Sequence, residues 1–406
     1  MSALKILFSA SGFYKVGDYF RYKALAERLA QAGHSVTVLT GEPTFRLRLA
    51  QTVAEGVTWL FPPYLGGLSA IERLTAYLPE TKLPYDVLYR TYYLARWASS
   101  YDIVHSFHVG LNTYLPLVAS RRRARRPVRV FDWCDLWDNG IIIPPGKGLV
   151  SRFDYEWTVA LERRSVRTAD AVTCNNTFLM RRAEEFGVSP DRIAMVRDGA
   201  DSDAIRPLDR TEARARLGLP ASSFLLGFAG FFHPDAELLL ESVARVRARF
   251  GDTKLLMIGS MPPHVHRRIV HEGLSSAILF AGPMEKDLLR VYLAACDMLL
   301  LPFTNRPVNL ARWPIKLGDY LSAGRCVVAG GFGEVERFFL AHPDIGIACD
   351  GTATRFSEAI VALLQDPERR ARGERAARAA AVESLSWDTV TADLVNFYRK
   401  LLALKK

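Results

Sequence analysis

The chain has 406 residues, 49% apolar and 24% charged, with a formal net charge of +10 at pH 7. That length is too great for one core, so two domains are the default, and the balance of residues is that of a well-packed soluble protein. The positive charge favours an anionic partner, whether nucleotide, nucleic acid or acidic membrane surface, without choosing among them. No apolar stretch reaches the length of a membrane span, and the N-terminus enters a strand-like run with no signal peptide. The five cysteines, Cys134, Cys174, Cys296, Cys326 and Cys349, are far apart and form no CxxC or Cys/His pair at metal-ligand spacing. A reduced compartment with buried thiols is the plain reading. The expectation is a cytoplasmic enzyme, with peripheral contact at the inner face of the cell membrane left open.

Lys5–Ala10 reads as a buried parallel strand. The loop Ser11–Asp18 carries Gly12 and Gly17, an amphipathic helix covers Arg21–Ala32, Gly33 caps it, and the strand SVTVLT completes one βαβ unit. GxGxxG and GxxxxGK[ST] are both absent, which removes the main support for dinucleotide and P-loop readings. Gly12 and Gly17 suit plain turns and a ligand-facing loop equally. Further strands are expected at Val57–Phe61, Asp102–Phe107, Val128–Asp132, Ala169–Cys174 and Ile193–Arg197, with a partly helical, Tyr-, Arg- and Trp-rich stretch at Leu68–Ser99. Strands alternating with helices at this pitch predict a doubly wound sheet.

At Ile205–Arg210 the pattern pauses, then restarts with a helix at Thr211–Leu217 and strands at Phe224–Ala229, Lys254–Ile258, Ile278–Phe280, Met298–Leu301 and Cys326–Ala329. This predicts a second α/β unit of similar size. A helix at Thr354–Leu364, a basic alanine-rich helix and an amphipathic helix from Ser386 finish the chain.

Chemistry reads most clearly between Leu299 and Glu334. Pro314 opens a short helix that closes at Gly324, and a helix entered from the end of a buried strand aims its free amides at the crevice above a parallel sheet. Lys316, Asp319 and Tyr320 share a face by their spacing. The cation suits a phosphate and the carboxylate suits a pair of sugar hydroxyls; a capped helix with an ordinary surface ion pair fits the same residues. Glu334 and Glu336 suit sugar hydroxyls or a solvated loop. His105 and His108 are poorly spaced for a metal pair and read as satisfied histidines; His264, His266 and His271 read as surface residues. The run Arg121-Arg122-Arg123 with Arg125 and Arg126 lacks interleaved aromatics, which argues against nucleic acid. A solvated loop and contact with an anionic membrane both remain, the latter compatible with the aromatic segment Tyr85–Trp97.

Several stretches together resemble the GT-B glycosyltransferases, most closely the retaining family 4 group. They are AERLAQAGHSVTVLTG at 26–41, YDIVHSFH at 101–108, RTADAVTCNN at 167–176, RIAMVRDGADSDAIRP at 192–207, FLLGFAGFF at 224–232, LLMIGS at 255–260, ILFAGPMEKDLLRVYLAACDMLLLPF at 278–303 and PIKLGDYLSAGRCVVA at 314–329. The resemblance implies two Rossmann-like doubly wound domains facing across a cleft. Residues 1–206 would form the acceptor side, 207–385 the nucleotide-sugar donor side, and the C-terminal helix 386–406 would cross back to the first domain. It implies a retaining, metal-independent transfer of a sugar from a UDP- or GDP-sugar to a hydroxyl acceptor (glycan, lipid-linked or small molecule), in bacterial glycan or glycolipid synthesis, with no cofactor beyond the donor.

By position, Asp319 matches the carboxylate on the ribose hydroxyls, and Met284 after Gly282-Pro283 matches the contact with the nucleobase. Gly230, Phe231 and Gly259 lie at the diphosphate turns, Gly12 and Gly17 face them from the first domain, and Pro314, Ile315 and Lys316 supply the helix N-terminus. His108, Asp135 and Lys316 are the candidate catalytic groups. Three positions depart from the family pattern. Ala311 stands where the first of two glutamates eight positions apart belongs, Cys134 stands for the histidine of an HD pair, and no Arg or Lys follows the Gly230 strand. Two alternatives therefore stay open, a sugar-nucleotide epimerase of the same fold and a non-catalytic nucleotide-binding relative.

Overall fold

The computed structural model describes residues 2–13, 18–42, 44–64, 84–122, 126–138, 149–230 and 235–405. They form two compact units, Met1–Arg197 with Val390–Lys406, and Asp198–Thr389.

The first unit contains β1 (Lys5–Phe13), β2 (Ser35–Gly41), β3 (Ala50–Ala54), β4 (Val57–Phe61), β5 (Ile103–Phe107), β6 (Val128–Trp133), β7 (Ala171–Cys174) and β8 (Ile193–Met195). Their order is β3-β4-β2-β1-β5-β6-β7-β8. Every pairing is parallel except the β3–β4 hairpin. All five residues of β5 and all six of β6 are buried, as expected of strands covered on both faces. The helix Tyr19–Gln31 buries Tyr22, Leu25, Ala26 and Leu29, a 3.6-residue stripe against the sheet. The direction of winding reverses between β1 and β5, and this switch point is where such folds place ligands.

The second unit contains β9 (Phe224–Ala229), β10 (Thr253–Ile258), β11 (Ile278–Gly282), β12 (Met298–Leu301), β13 (Val327–Gly330) and β14 (Gly346–Cys349). The sheet is all parallel, in the order β11-β10-β9-β12-β13-β14, with its switch point between β9 and β12. Alternate residues of β12 feed two cores. Leu299 and Leu301 pack with Leu317, Tyr320 and Leu321 on one face, while Met298 and Leu300 pack with Leu239, Val243, Phe356 and Ile360 on the other.

The structure corrects the expected organisation at several points. The division falls after Arg197, not at 206/207, because the segment from Asp198 is bonded into the second unit. Ala200 N–H donates to Leu385 O at 2.6 Å, the Trp313 indole donates to Asp198 O at 3.1 Å, and Lys286 pairs with Asp201 at 2.6 Å. The same unit keeps residues as far as Thr389 rather than 385, since Trp387 packs on Gly199 with no room for a Cβ between them. The strand β1 runs past Ala10 to Phe13 through a register shift after Ser9, so Gly12 lies in a strand extension rather than a loop. The strands β3 and β14 had no sequence signal: β3 is largely exposed, and β14 is four residues long. Of the Leu68–Ser99 stretch, Pro84–Trp97 is helix, and 65–83 lie outside the described residues. Among the described residues, no helix is long and apolar enough to cross a membrane.

Candidate functional site

At the C-terminal edge of the second sheet, three neighbouring strands end in glycines with left-handed backbone: Gly230 (φ 125°), Gly259 (φ 123°) and Gly282 (φ 69°). Their peptides interlock, Gly230 N–H to Ile258 O and Gly259 N–H to Gly282 O, both at 2.8 Å. A Cβ at Gly259 would collide with the Gly230 carbonyl. The result is a bare backbone ledge.

Against this ledge stands the helix Ile315–Ser322, capped by Pro314 and ended by Gly324 at φ 63°. Its fully buried Tyr320 reaches the end of β9, where its hydroxyl accepts the Ala229 N–H at 2.8 Å. One turn earlier, Lys316 Nζ lies 4.4 Å over the Phe228 ring. It would sit 2.7 Å from a Cβ on Gly230, so glycine makes the space the ammonium uses. Burial pushes the Lys316 pKa down to about 7, and the Arg312 charge adds to the shift. Asp319, on the next turn, is pushed up to about 6 by burial, with Lys286 opposing and Asp201 adding to the rise. Its carboxylate makes no hydrogen bond or ion pair with the described residues, while Lys286 is engaged by Asp201. A desolvated cation above the glycine ledge and a desolvated carboxylate one turn on thus share one helix. An anion would restore the first, and hydroxyl donors would satisfy the second.

The loop before this helix adds a cation that sequence reasoning missed. Arg312 lies 4.3 Å over the Phe303 ring and donates to Asn309 Oδ1 at 2.6 Å. Asn309 in turn donates to Asp235 Oδ2 at 3.0 Å and to Thr304 O at 2.8 Å. Buried Asp235 so organises the whole turn. The available signal was the four-residue spacing of Arg312 and Lys316, which puts both charges at one helix end. Of the other expected positions, Pro283 and Ile315 are exposed and Met284 packs on the core edge. Glu334 is buried in the first turn of the helix Gly333–Ala341, whereas Glu336 is exposed. Gly17 and Phe231 lie outside the described residues.

In the first unit, the polar groups gather beyond β5 and β6. His108 follows β5 with φ 67°, a left-handed conformation costly for any residue with a Cβ. Its carbonyl accepts from Thr113 Oγ1 at 3.0 Å, and its ring meets the Trp137 ring at 5.1 Å, nearly perpendicular. Asp135 is half-buried in the segment between β6 and Trp137. His105 stands apart from His108, with both ring nitrogens engaged in the core: Nδ1 with the Tyr398 hydroxyl at 2.6 Å and Nε2 with Thr173 Oγ1 at 3.1 Å. Thr173 donates to Asp132 at 2.6 Å, and Arg21 clamps that carboxylate with bonds of 2.8 and 2.9 Å. Burial lowers the His105 pKa to about 4 against the pull of Asp132. Burial would raise Asp132, but the Arg21 charge and hydrogen bond hold it at about 2. The Cys134 thiol donates to the same carboxylate at 2.8 Å.

Two Rossmann-like parallel sheets in one chain, each with polar groups gathered at its switch point, constitute the GT-B architecture. Residues 21–199 match the model for the glycosyl transferase 4-like domain and residues 223–366 the model for glycosyl transferases group 1. The chain belongs to the GT-B glycosyltransferases of the family 4 group. It is 27% identical over 410 residues to a D-inositol 3-phosphate glycosyltransferase of Acidothermus cellulolyticus, covering 94% of this chain and 85% of that one. Another protein of that name, from Stackebrandtia nassauensis, is 27% identical over 252 residues, a match spanning 58% of this chain and 55% of the relative. The fold matches sucrose-phosphate synthase from Thermosynechococcus elongatus with a TM-score of 0.72 at 17% identity, covering 98% of this chain and 100% of that one. It matches Anabaena HepE in complex with UDP at 0.67 and 18% identity, covering 97% and 99%.

Proposed function

We propose that the chain transfers a sugar from a UDP- or GDP-sugar to a hydroxyl acceptor with retention of configuration, the second unit holding the donor and the first the acceptor. One observation carries this reading: Lys316 stands desolvated over the Gly230 ledge, and Asp319 stands desolvated one turn further along the same helix, toward Lys286 and Asp201. A diphosphate would lie against Lys316, Arg312 and the free amides of the helix N-terminus. The ribose hydroxyls would donate to Asp319, and the base would meet the backbone at Pro283 and Met284. Positive charge fixed where the leaving diphosphate gains negative charge lowers the barrier to departure. UDP is the first nucleotide to test, since the matched HepE structure holds UDP. Inositol 3-phosphate is the first acceptor, since the relatives' names specify it.

The test mixes the purified full chain with UDP- and GDP-sugars, with and without acceptor. Nucleotide release that requires acceptor, giving a product whose anomeric proton coupling matches the donor's, is the expected result. Donor consumption without acceptor would favour the epimerase, and binding without turnover the non-catalytic relative. Contact with an anionic membrane draws support from the helix Pro84–Trp97, where Leu88 and Tyr92 are 66% and 59% exposed and Arg96 follows on the same face. Flotation with anionic but not neutral vesicles is expected, and equal flotation with both would remove the idea.

A further inference from the structure

The segment Trp133–Asp138, which carries Cys134 and Asp135, is pinned to the helix Leu149–Thr168 at two points. Asp138 takes Arg163 at 3.0 Å and also Arg182. The second pin is Glu162, a fully buried carboxylate. Its Oε1 accepts the Trp133 indole N–H and the Trp137 backbone N–H, each at 2.9 Å. Its Oε2 is equally buried and accepts no hydrogen bond from the described residues. A buried carboxylate with one bare oxygen is expensive, and an amide or an apolar side chain would cost the fold less. What the carboxylate holds is the backbone of Trp137, whose ring is the wall against which strained His108 stands.

We propose that Glu162 is the positioning residue of the acceptor-side site: its carboxylate fixes Trp137, and the Trp137 indole fixes the ring of His108. The proposal rests on reading the first unit as the acceptor side. Charge-assisted bonds are roughly twice as strong as neutral ones, so the pin is firm while Glu162 is ionised. A proton has a place at Oε2, where it would break neither bond but weaken both. Burial raises the Glu162 carboxyl to about 7; the bonds from Trp137 and Trp133 and the charge of Arg182 oppose the rise, and Asp138 adds to it. Among the described residues, Arg163 and Arg182 reach Asp138 from two helices, His108 meets the Trp137 ring, and Cys134 and Asp135 lie in the same segment. The pin therefore loosens on the acid side of neutrality.

The experiment reads Trp137 itself. Because the chain has seven tryptophans, the signal is the fluorescence difference between the wild type and Trp137→Phe, titrated from pH 5 to 9. A transition near pH 7 is expected, absent in Glu162→Gln, whose acceptor KM rises about tenfold while the Kd for UDP stays within twofold. A transition that survives in Glu162→Gln belongs to another group and overturns the proposal, as does an unchanged acceptor KM with an unchanged pH profile. Should Glu162→Gln fail to fold, Glu162→Asp keeps the titrating group but withdraws it from Trp137; an unaltered transition and KM there refute the idea equally. A chain that keeps the transition but transfers no sugar overturns the proposed activity and leaves the positioning standing.

Discussion

Binding of UDP above neutral pH is the sharpest consequence of the Lys316 environment. In the free protein its pKa is about 7, so about one molecule in eleven carries the charge at pH 8 and about one in a hundred at pH 9. A diphosphate against the ammonium returns its pKa toward the ordinary lysine range, because the opposite charge outweighs desolvation. Binding must then take up close to one proton at pH 8, and the Kd must rise about tenfold per pH unit from 7 upward. Arg312 stays charged throughout and sets the floor. The nucleotide's terminal phosphate and Asp319 both titrate near 6, so the window from 7 to 9 isolates Lys316. Calorimetry in two buffers of unequal ionisation enthalpy measures both quantities. Lys316→Arg, which cannot lose its charge there, should flatten the profile. A wild-type Kd constant within twofold from pH 7 to 9, with no buffer dependence, would refute the reasoning.

Asp319→Asn should weaken UDP binding at pH 7 and shrink the further loss expected below about pH 6 to the part that comes from protonation of the nucleotide's terminal phosphate. Because the folded pKa of Asp319 is raised, its ionised form opposes folding above pH 6 and the penalty fades below its ordinary value. Asp319→Asn should accordingly raise the Tm at pH 8 and hardly change it at pH 4. Tyr320→Phe leaves the buried Ala229 N–H without its acceptor, which should cost about 1–3 kcal/mol in urea unfolding and loosen the Gly230 turn enough to raise the UDP Kd. Tyr398→Phe removes the partner of His105 Nδ1 in the first unit, with a similar loss of about 1–3 kcal/mol and no change in UDP binding; a coupled loss would contradict the assignment of the donor to the second unit alone.

Most of the fold was legible because buried parallel strands are continuous apolar runs between helical patterns, and Val57–Phe61, Phe224–Ala229 and Met298–Leu301 begin and end as the sequence indicates. The misses share a physical cause. The strand β3 is exposed and owes its existence to pairing with β4 alone, so no burial pattern marks it. The extension of β1 to Phe13 follows a register shift that only the neighbouring strand defines. The boundary after Arg197 depends on bonds from Asp198, Ala200 and Asp201 to residues far along the chain, and sequence shows only the pause that follows it.

The site was legible where one helix carries the chemistry and opaque where distant segments meet. Lys316 and Asp319 could be named from their spacing, yet their shared face conceals a division of labour. Lys316 and Tyr320 turn to the end of β9, while Asp319 turns toward Lys286 and Asp201. The apparent deficit of cations beyond the Gly230 strand came from looking along the chain. A diphosphate responds to charge at a point in space, not to the segment that delivers it. Gly230 lacks a side chain, so a lysine arriving from the helix on the other side of the switch point occupies that space, and Asp235, which follows the residues at which the family's cations are missing, holds Arg312 through Asn309. A segment without a lysine or arginine of its own thus helps place a cation from elsewhere. Replacing Asn309 by Leu tests that exchange. The Arg312 guanidinium would lose the Asn309 oxygen and Asp235 the Asn309 donor, so the Kd for UDP should rise about tenfold with the pH profile set by Lys316 unchanged in shape. A Kd that does not move would show that Arg312 is held for the stability of the loop and takes no part in binding.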